Sequence, residues 1–200
     1  MPYLDSLQNF PAYLQQLEME SNGKTVANHG AVVNYHTAPV IWGGVGCNGQ
    51  HAYMQLLHQG SQIVPVDFIL AAKGTSQLLE HQQLLVASCL GQSRALMLGC
   101  PNNDKLAKQC VGNRPSTTLM CELLTPKVLG SLIALYEHKV FVQGVIWHIQ
   151  SFDQWGVELG KKLIGDILPF LAITDANSSM MNKVDSSTNG LINYFAKTYK

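Results

Sequence analysis

The run Ile63-Val-Pro-Val-Asp-Phe-Ile-Leu70 decides how this chain folds. β-Branched and aromatic side chains dominate it, neighbouring as well as alternate positions are apolar, and Pro65 confines it to a strand start or a sheet edge. A strand apolar on both faces belongs between layers of helices. Helical patterns flank it, over about Gln50 to His58, ended by Gly60, and over about Gln77 to Leu98. Beyond a loop containing Pro101, Asn102 and Asn103, Thr117 to Cys121 reads as a second strand. Thr125-Pro126 then opens a long helix, with an N-cap residue followed by proline in the first turn. Asp153 caps a helix over Gln154 to Phe170, and a polar stretch from Thr174 to Ser187 leads to a terminal helix ending near Tyr199. Upstream, Leu4, Leu7, Phe10, Tyr13, Leu14 and Leu17 form a helical stripe that restarts or kinks at Pro11 and stops at Ser21-Asn22-Gly23. A short β excursion over Ala31 to Asn34 and a strand over Pro39 to Trp42 are expected before the glycine-rich segment Gly43 to Gly49. Strands alternating with helices predict an α/β fold with a parallel sheet flanked by helices.

Composition narrows the classes of function. The 200 residues carry 13 basic and 13 acidic side chains and are 46% hydrophobic but only 13% charged. Balanced charge gives no positive field, so neither nucleic acid nor an anionic membrane surface is an expected partner. Charge well below the usual share of about 25% predicts a chain that buries surface against something else. The five cysteines, Cys47, Cys89, Cys100, Cys110 and Cys121, form no Cys-x-x-Cys and match no zinc spacing, so they read as free core or loop thiols. The start, Met-Pro-Tyr-Leu-Asp, has no signal-peptide pattern. The most apolar stretch, Val128 to Trp147, is broken by Glu137 and Lys139 and is expected to be a buried helix, not a membrane span.

Several local motifs carry chemistry in principle. Gly44-Val-Gly46-Cys-Asn-Gly49 fits G-x-G-x-x-G, follows the expected strand, precedes a helix, and has Asp67 downstream. It reads either as a dinucleotide fingerprint or as a glycine-rich turn that brings something else close to the backbone. Gly156-Val-Glu-Leu-Gly160-Lys161 is one residue short of a phosphate loop and lies inside a helix. His51 stands where a glycine-rich loop meets a helix start, where the dipole favours the neutral ring suited to proton transfer. Glu20 sits in the last turn of its helix, where a negative charge is disfavoured, and shares a face with Gln16. It is either simply solvated or used.

Taken together these residues resemble the C-terminal part of the glucose-6-phosphate isomerase family. The matching segments are Gln16-Leu-Glu-Met-Glu20-Ser-Asn-Gly-Lys24, Gly46-Cys-Asn-Gly-Gln-His51 with His58-Gln-Gly60, and Gly112-Asn-Arg-Pro115. They continue through Leu124-Thr-Pro126, Tyr136-Glu-His-Lys139, Phe152-Asp-Gln-Trp-Gly-Val-Glu-Leu-Gly-Lys161 and Ser187-Thr-Asn-Gly-Leu-Ile-Asn193. They cover essentially the whole chain in the family's order. The chain departs from the family's pattern at Gly44-Val45, where Glu-Pro or a similar pair is usual, at Cys47, where Thr is usual, and at Val111, where an acid is usual. The segment before Gly112 is shortened. With Gly44 a substitution, the G-x-G-x-x-G match reads as an accident.

The resemblance implies a sugar-isomerase-type three-layer sandwich, mainly a parallel sheet flanked by helices, over residues 1–150. It also implies a C-terminal helical arm over 151–200. It implies that Glu20 moves a proton between C1 and C2 of the open-chain sugar through a cis-enediol and that His51 assists ring opening, supplied across a homodimer by the neighbouring subunit. Lys161 then works near the ring oxygen and hydroxyls, and Gln16 and Gln154 line the substrate. The substrate is a sugar phosphate, glucose 6-phosphate or fructose 6-phosphate, and neither a cofactor nor a metal is needed. The phosphate-binding loop and a glycine-arginine segment lie in an N-terminal domain that this sequence lacks, so the chain reads as a cytoplasmic, C-terminal piece with little activity alone. The alternatives are a dinucleotide-binding module using Gly44, Gly46 and Gly49, and a sugar-isomerase fold kept as a non-catalytic interaction domain.

Overall fold

The computed structural model describes residues 1–74, 78–100, 102, 104–171 and 184–199. The expected helix start at Gln77, the loop residues Pro101 and Asn103, and most of the polar stretch from Thr174 lie outside them. The helices are α1 (Phe10–Gln15), α2 (Gly46–Gly49), α3 (Met54–Gln59), α4 (Leu79–Leu98), α5 (Pro126–Ile146), α6 (Trp155–Leu171) and α7 (Ser186–Thr198). Strands β1 (Val66–Ala71) and β2 (Ser116–Cys121) pair in parallel, with Val66 opposite Ser116 and Ala71 opposite Cys121. The α/β expectation holds, and Pro65 stands just ahead of β1, where its missing N–H costs no ladder bond.

β1 lies at the centre of the core of residues 1–152, with apolar side chains packed on both of its faces. Phe68 and Leu70, 0% and 1% exposed, point with Val66 into a core shared with Met54 and Leu57 of α3 and with Cys89 and Leu96 of α4. Ile69 points the other way and packs with Leu7, Phe10 and Tyr136 of α5. Each such side chain, withdrawn fully from water, contributes about 1.5–3 kcal/mol. Asp67 shares the second face but stays exposed, and its carboxylate accepts a hydrogen bond from the hydroxyl of buried Tyr136 at 3.0 Å. Burial and the adjacent carboxylate push the Tyr136 phenol well above its ordinary range. Burial likewise raises the Cys89 thiol to about 11, leaving it an inert core thiol.

The chain divides into two compact units, Met1–Phe152 and Asp153–Lys200. The second contains α6 and α7, which pack on each other and bury Ile192. Among the described residues no helix is long and apolar enough to cross a membrane.

Three sequence expectations need correcting. Pro39 to Trp42 joins no sheet; it is an unpaired segment whose Trp42 ring packs edge-on against Tyr53, 4.8 Å between centroids. The β excursion at Ala31 to Asn34 reduces to a single bridge between Val26 and Val32. The apolar helix α5 is not buried all round: Tyr136, Val140 and Gly144 face inward, whereas Phe141, Val145 and Ile146 remain more than half exposed.

Candidate active site

The first site segment is the end of the α1 helix. Pro11 lies in the first turn of α1, where it needs no N–H partner, so the helix restarts there. After Gln15 the winding changes to a π-turn over Gln16–Glu20 before the helix ends at Asn22. π-Turns insert a residue into a helix and are frequent at functional sites. This one sends Glu18 inward, 3% exposed, and leaves Glu20 half-buried with Gln16 beside it. The Gln16 Nε2 amide donates to Glu20 Oε1 at 3.4 Å, so the structure brings this predicted pair together.

The segment is held firmly from its core side. Lys139 Nζ lies 2.5 Å from Glu18 Oε2. Asn22, 0% exposed, donates from Nδ2 to the Val140 carbonyl at 3.0 Å and accepts from Ser151 Oγ at 2.5 Å. Tyr13 donates to Glu137 Oε1 at 3.1 Å. The two charges that interrupt the apolar stretch of α5 thus both serve the α1 segment. At the helix end Lys24 Nζ donates to the carbonyls of Glu20 and Ser21 at 2.7 and 2.8 Å, satisfying groups that lack helical partners. Sequence reasoning missed Glu18, although a signal existed: it lies four residues after Leu14, on the stripe that faces the core.

His51 stands apart from that pair. It lies in the turn between α2 and α3, exposed, with its N–H donating to the Asn48 carbonyl at 3.1 Å. The four-residue α2 ends before it, so the expected helix start is replaced by a turn. The glycines of this segment serve packing. A Cβ on Gly46 would sit 2.2 Å from the ring of Tyr3, and one on Gly49 would sit 2.4 Å from the Tyr53 hydroxyl. Gln50 Nε2 donates to the Tyr3 hydroxyl at 3.0 Å and fastens the same turn. The dinucleotide reading of Gly44, Gly46 and Gly49 fails on this geometry. No sheet strand precedes the loop, the helix after it has four residues, and tyrosine rings fill the space a pyrophosphate would need.

Lys161 and Gln154 belong to the second unit. Lys161 is exposed on α6 and pairs with Glu158 at 2.9 Å, one turn earlier. Gln154 is exposed immediately before α6, and its carbonyl accepts from the Val157 N–H at 3.1 Å. A cleft of about 360 Å³ opens on the core side of α1, with Pro11, Glu18, Trp42, Asp67 and Lys139 in its wall; Gln16, Glu20 and His51 do not line it.

Chemically, the first unit offers a half-buried carboxylate with an amide neighbour on a pinned helix end, and an exposed imidazole on a tightly packed glycine turn. The first unit is thus an α/β unit that presents acid–base side chains on two pinned turns. The phosphoglucose isomerase family model matches residues 1–192, and the chain belongs to that family. It is 52% identical to a glucose-6-phosphate isomerase of Methylocella silvestris over 96% of this chain and 38% of that protein. It is 51% identical to that of Pseudomonas entomophila, over 98% of this chain and again 38% of the relative. The crystal structure of a glucose-6-phosphate isomerase from Chlamydia trachomatis superposes with a TM-score of 0.80 at 40% identity, covering 97% of this chain and 36% of that one. The sheet and its helices are therefore those of a sugar-isomerase-type α/β fold. The chain spans about two fifths of the length of the curated relatives it matches.

Proposed function

We propose that this chain carries the proton-transfer half of an aldose–ketose isomerase that interconverts glucose 6-phosphate and fructose 6-phosphate. The observation that carries the reading is the Gln16–Glu20 pair on a π-turn locked to α5, in a chain of this family. Moving a proton between adjacent carbons needs one base that keeps the proton between two steps. A carboxylate held by its own backbone does this without leaving its place. In this reading Glu20 takes the proton from C2 of the open-chain aldose and returns it to C1 of the cis-enediol. Gln16 holds the Glu20 carboxylate and, with Gln154, lines the substrate. His51 assists ring opening and is contributed to the site of a neighbouring subunit, for which its exposed turn is suited. Lys161 acts near the ring oxygen, exchanging its solvent-exposed pairing with Glu158 for substrate.

The remaining three fifths of the relatives' length supplies the phosphate-binding loop and the arginine segment, so the chain by itself has little turnover. Residues 1–150 act as the sugar-isomerase-type domain and 151–200 as a helical arm. The exposed Phe141, Val145 and Ile146 of α5 and Trp155 of α6 fit a protein that buries surface against a further domain and a second subunit, working in the cytoplasm.

The test is a chimera in which this chain replaces the corresponding region of the Methylocella silvestris relative. The chimera is expected to isomerise, and Glu20→Gln to lower kcat by about 10³-fold or more while sugar-phosphate binding is kept. An active Glu20→Gln chimera overturns the role of Glu20, and a folded chimera without activity overturns the competence of this chain.

A further inference from the structure

Two of the five cysteines face each other. The chain approaching β2 returns past the end of α4, where Asn113 N–H donates to the Met97 carbonyl at 2.9 Å and Arg114 N–H to the Leu96 carbonyl at 3.0 Å in the last helical turn. Just beyond, Cys100 and Cys110 form an antiparallel bridge and exchange both backbone bonds, Cys100 N–H to Cys110 O at 2.7 Å and Cys110 N–H to Cys100 O at 3.3 Å. Residues opposed in this way have Cα atoms about 5.5 Å apart, inside the span of roughly 4.4–6.8 Å over which a disulfide closes without moving the backbone. Their side chains leave the same face. Gly99 and Gly112, with φ of 62° and 69°, let the two chains meet this closely; a Cβ on Gly99 would lie 2.3 Å from the Cys110 carbonyl oxygen. The returning chain is tied down as well, since Gln59 Nε2 donates to the carbonyls of Ala107 and Gln109 at 3.1 and 2.8 Å. Cys100 is exposed, Cys110 half-buried, and both thiols are free.

We propose that Cys100 and Cys110 form a reversible disulfide with a low-molecular-weight disulfide, such as oxidised glutathione, as the oxidant. The thiolate of exposed Cys100 attacks one sulfur of the oxidant, the S–S bond breaks, and one glutathione thiolate leaves with the electron pair. The thiolate of Cys110 then attacks Cys100 Sγ and expels the second glutathione. Two protein thiols lose two electrons and two protons, and the oxidant becomes two thiols. The other cysteines are placed differently: Cys89 is buried, Cys121 donates to the Leu70 carbonyl at 3.6 Å inside the sheet, and Cys47 is exposed on α2, opposite no cysteine in a backbone pair. The inference is independent of the isomerase reading, since none of its residues is placed in that chemistry.

The test uses the purified chain carrying Cys47→Ser, so that the exposed Cys47 cannot couple two molecules. It is exposed to oxidised glutathione, quenched, and digested with trypsin without reduction. Lys105 and Lys108 lie between the two cysteines, so cleavage separates them unless they are linked. The expected result is a linked pair of peptides, formed about tenfold or more faster in the folded chain than in urea, because the fold holds the sulfurs at high effective concentration. With Cys110→Ser added, Cys100 is expected to stop as the glutathione adduct. Separate adducts on both cysteines of the folded chain, unreacted thiols, or closure no faster than in urea overturn the proposal.

Discussion

Lys139→Met is expected to cost far more stability than Glu18→Gln, although the two substitutions break one ion pair. The asymmetry follows from burial: the Glu18 side chain is 4% exposed, that of Lys139 41%. Without Lys139, the Glu18 carboxylate loses its counter-charge while most of its surface stays covered by protein, and its Oε1 already lacks a hydrogen-bond partner among the described residues. Removing one member of a fully buried pair costs about 3–5 kcal/mol. Because Lys139 reaches solvent, water enters beside its replacement, and the figure falls to about 2–3 kcal/mol. Without the Glu18 charge, by contrast, the ammonium swings outward on its flexible stem, and the loss is about 1 kcal/mol. The double variant Glu18→Leu with Lys139→Met is expected close to wild type, since a matched apolar pair removes both desolvation costs. Urea unfolding measures all three, followed by the fluorescence of Trp42 and Trp147 in a Trp155→Phe background so that only the first unit reports. A Glu18→Gln loss equal to or larger than that of Lys139→Met refutes the reasoning, because it would place the buried charge on the lysine.

Three further outcomes are expected. Thr125→Ala removes the hydroxyl that accepts from the Val128 N–H at 3.2 Å and should cost about 1 kcal/mol in the same urea assay. Gly46→Ala forces a methyl into the Tyr3 ring, which is fully buried, and should unfold or strongly destabilise the first unit in thermal denaturation, whereas Gly91→Ala, where a Cβ meets nothing within 4 Å, should not. The N-cap carboxylate of Asp185 titrates below its ordinary 3.8 because the Thr188 N–H donates to it. A carboxylate lowered in the folded state stabilises fully above its unfolded value and loses that contribution as pH falls through the lowered one. The Thr188 amide resonance should therefore report fraying of α7 only below about pH 4.

Local signals were enough for elements that carry their own reasons. The run through Leu70 is a strand because both faces are apolar, and Thr125-Pro126 starts α5 because cap and proline act within one turn. Pro39 to Trp42 has the same apolar look, but a strand needs a partner edge, and pattern alone cannot tell pairing from an extended segment packed by its side chains. Burial of α5 could not be read from its composition, since its apolar residues surround the axis and only tertiary contacts choose Tyr136 and Val140 over Phe141 and Ile146. In the candidate site, Glu20 stood out because a carboxylate at a helix C-terminus is electrostatically misplaced. Glu18 carried only the weaker signal of its place on the core-facing stripe, and the lysine that lets a carboxylate be buried there lies 121 positions away.

The π-turn makes the aim of the Glu20 side chain a matter of residue count. One residue fewer between Pro11 and Glu20 would let the helix wind regularly, and the widened turn that sends Glu18 inward while leaving Glu20 half-buried would be lost. Glu18 and Glu20 would then compete for the inward direction, and no choice of side chain at either position would restore the original division. Insertions and deletions in this stretch should therefore be tolerated far less well than substitutions of its exposed residues, a pattern that a deletion scan of residues 12–17 would expose.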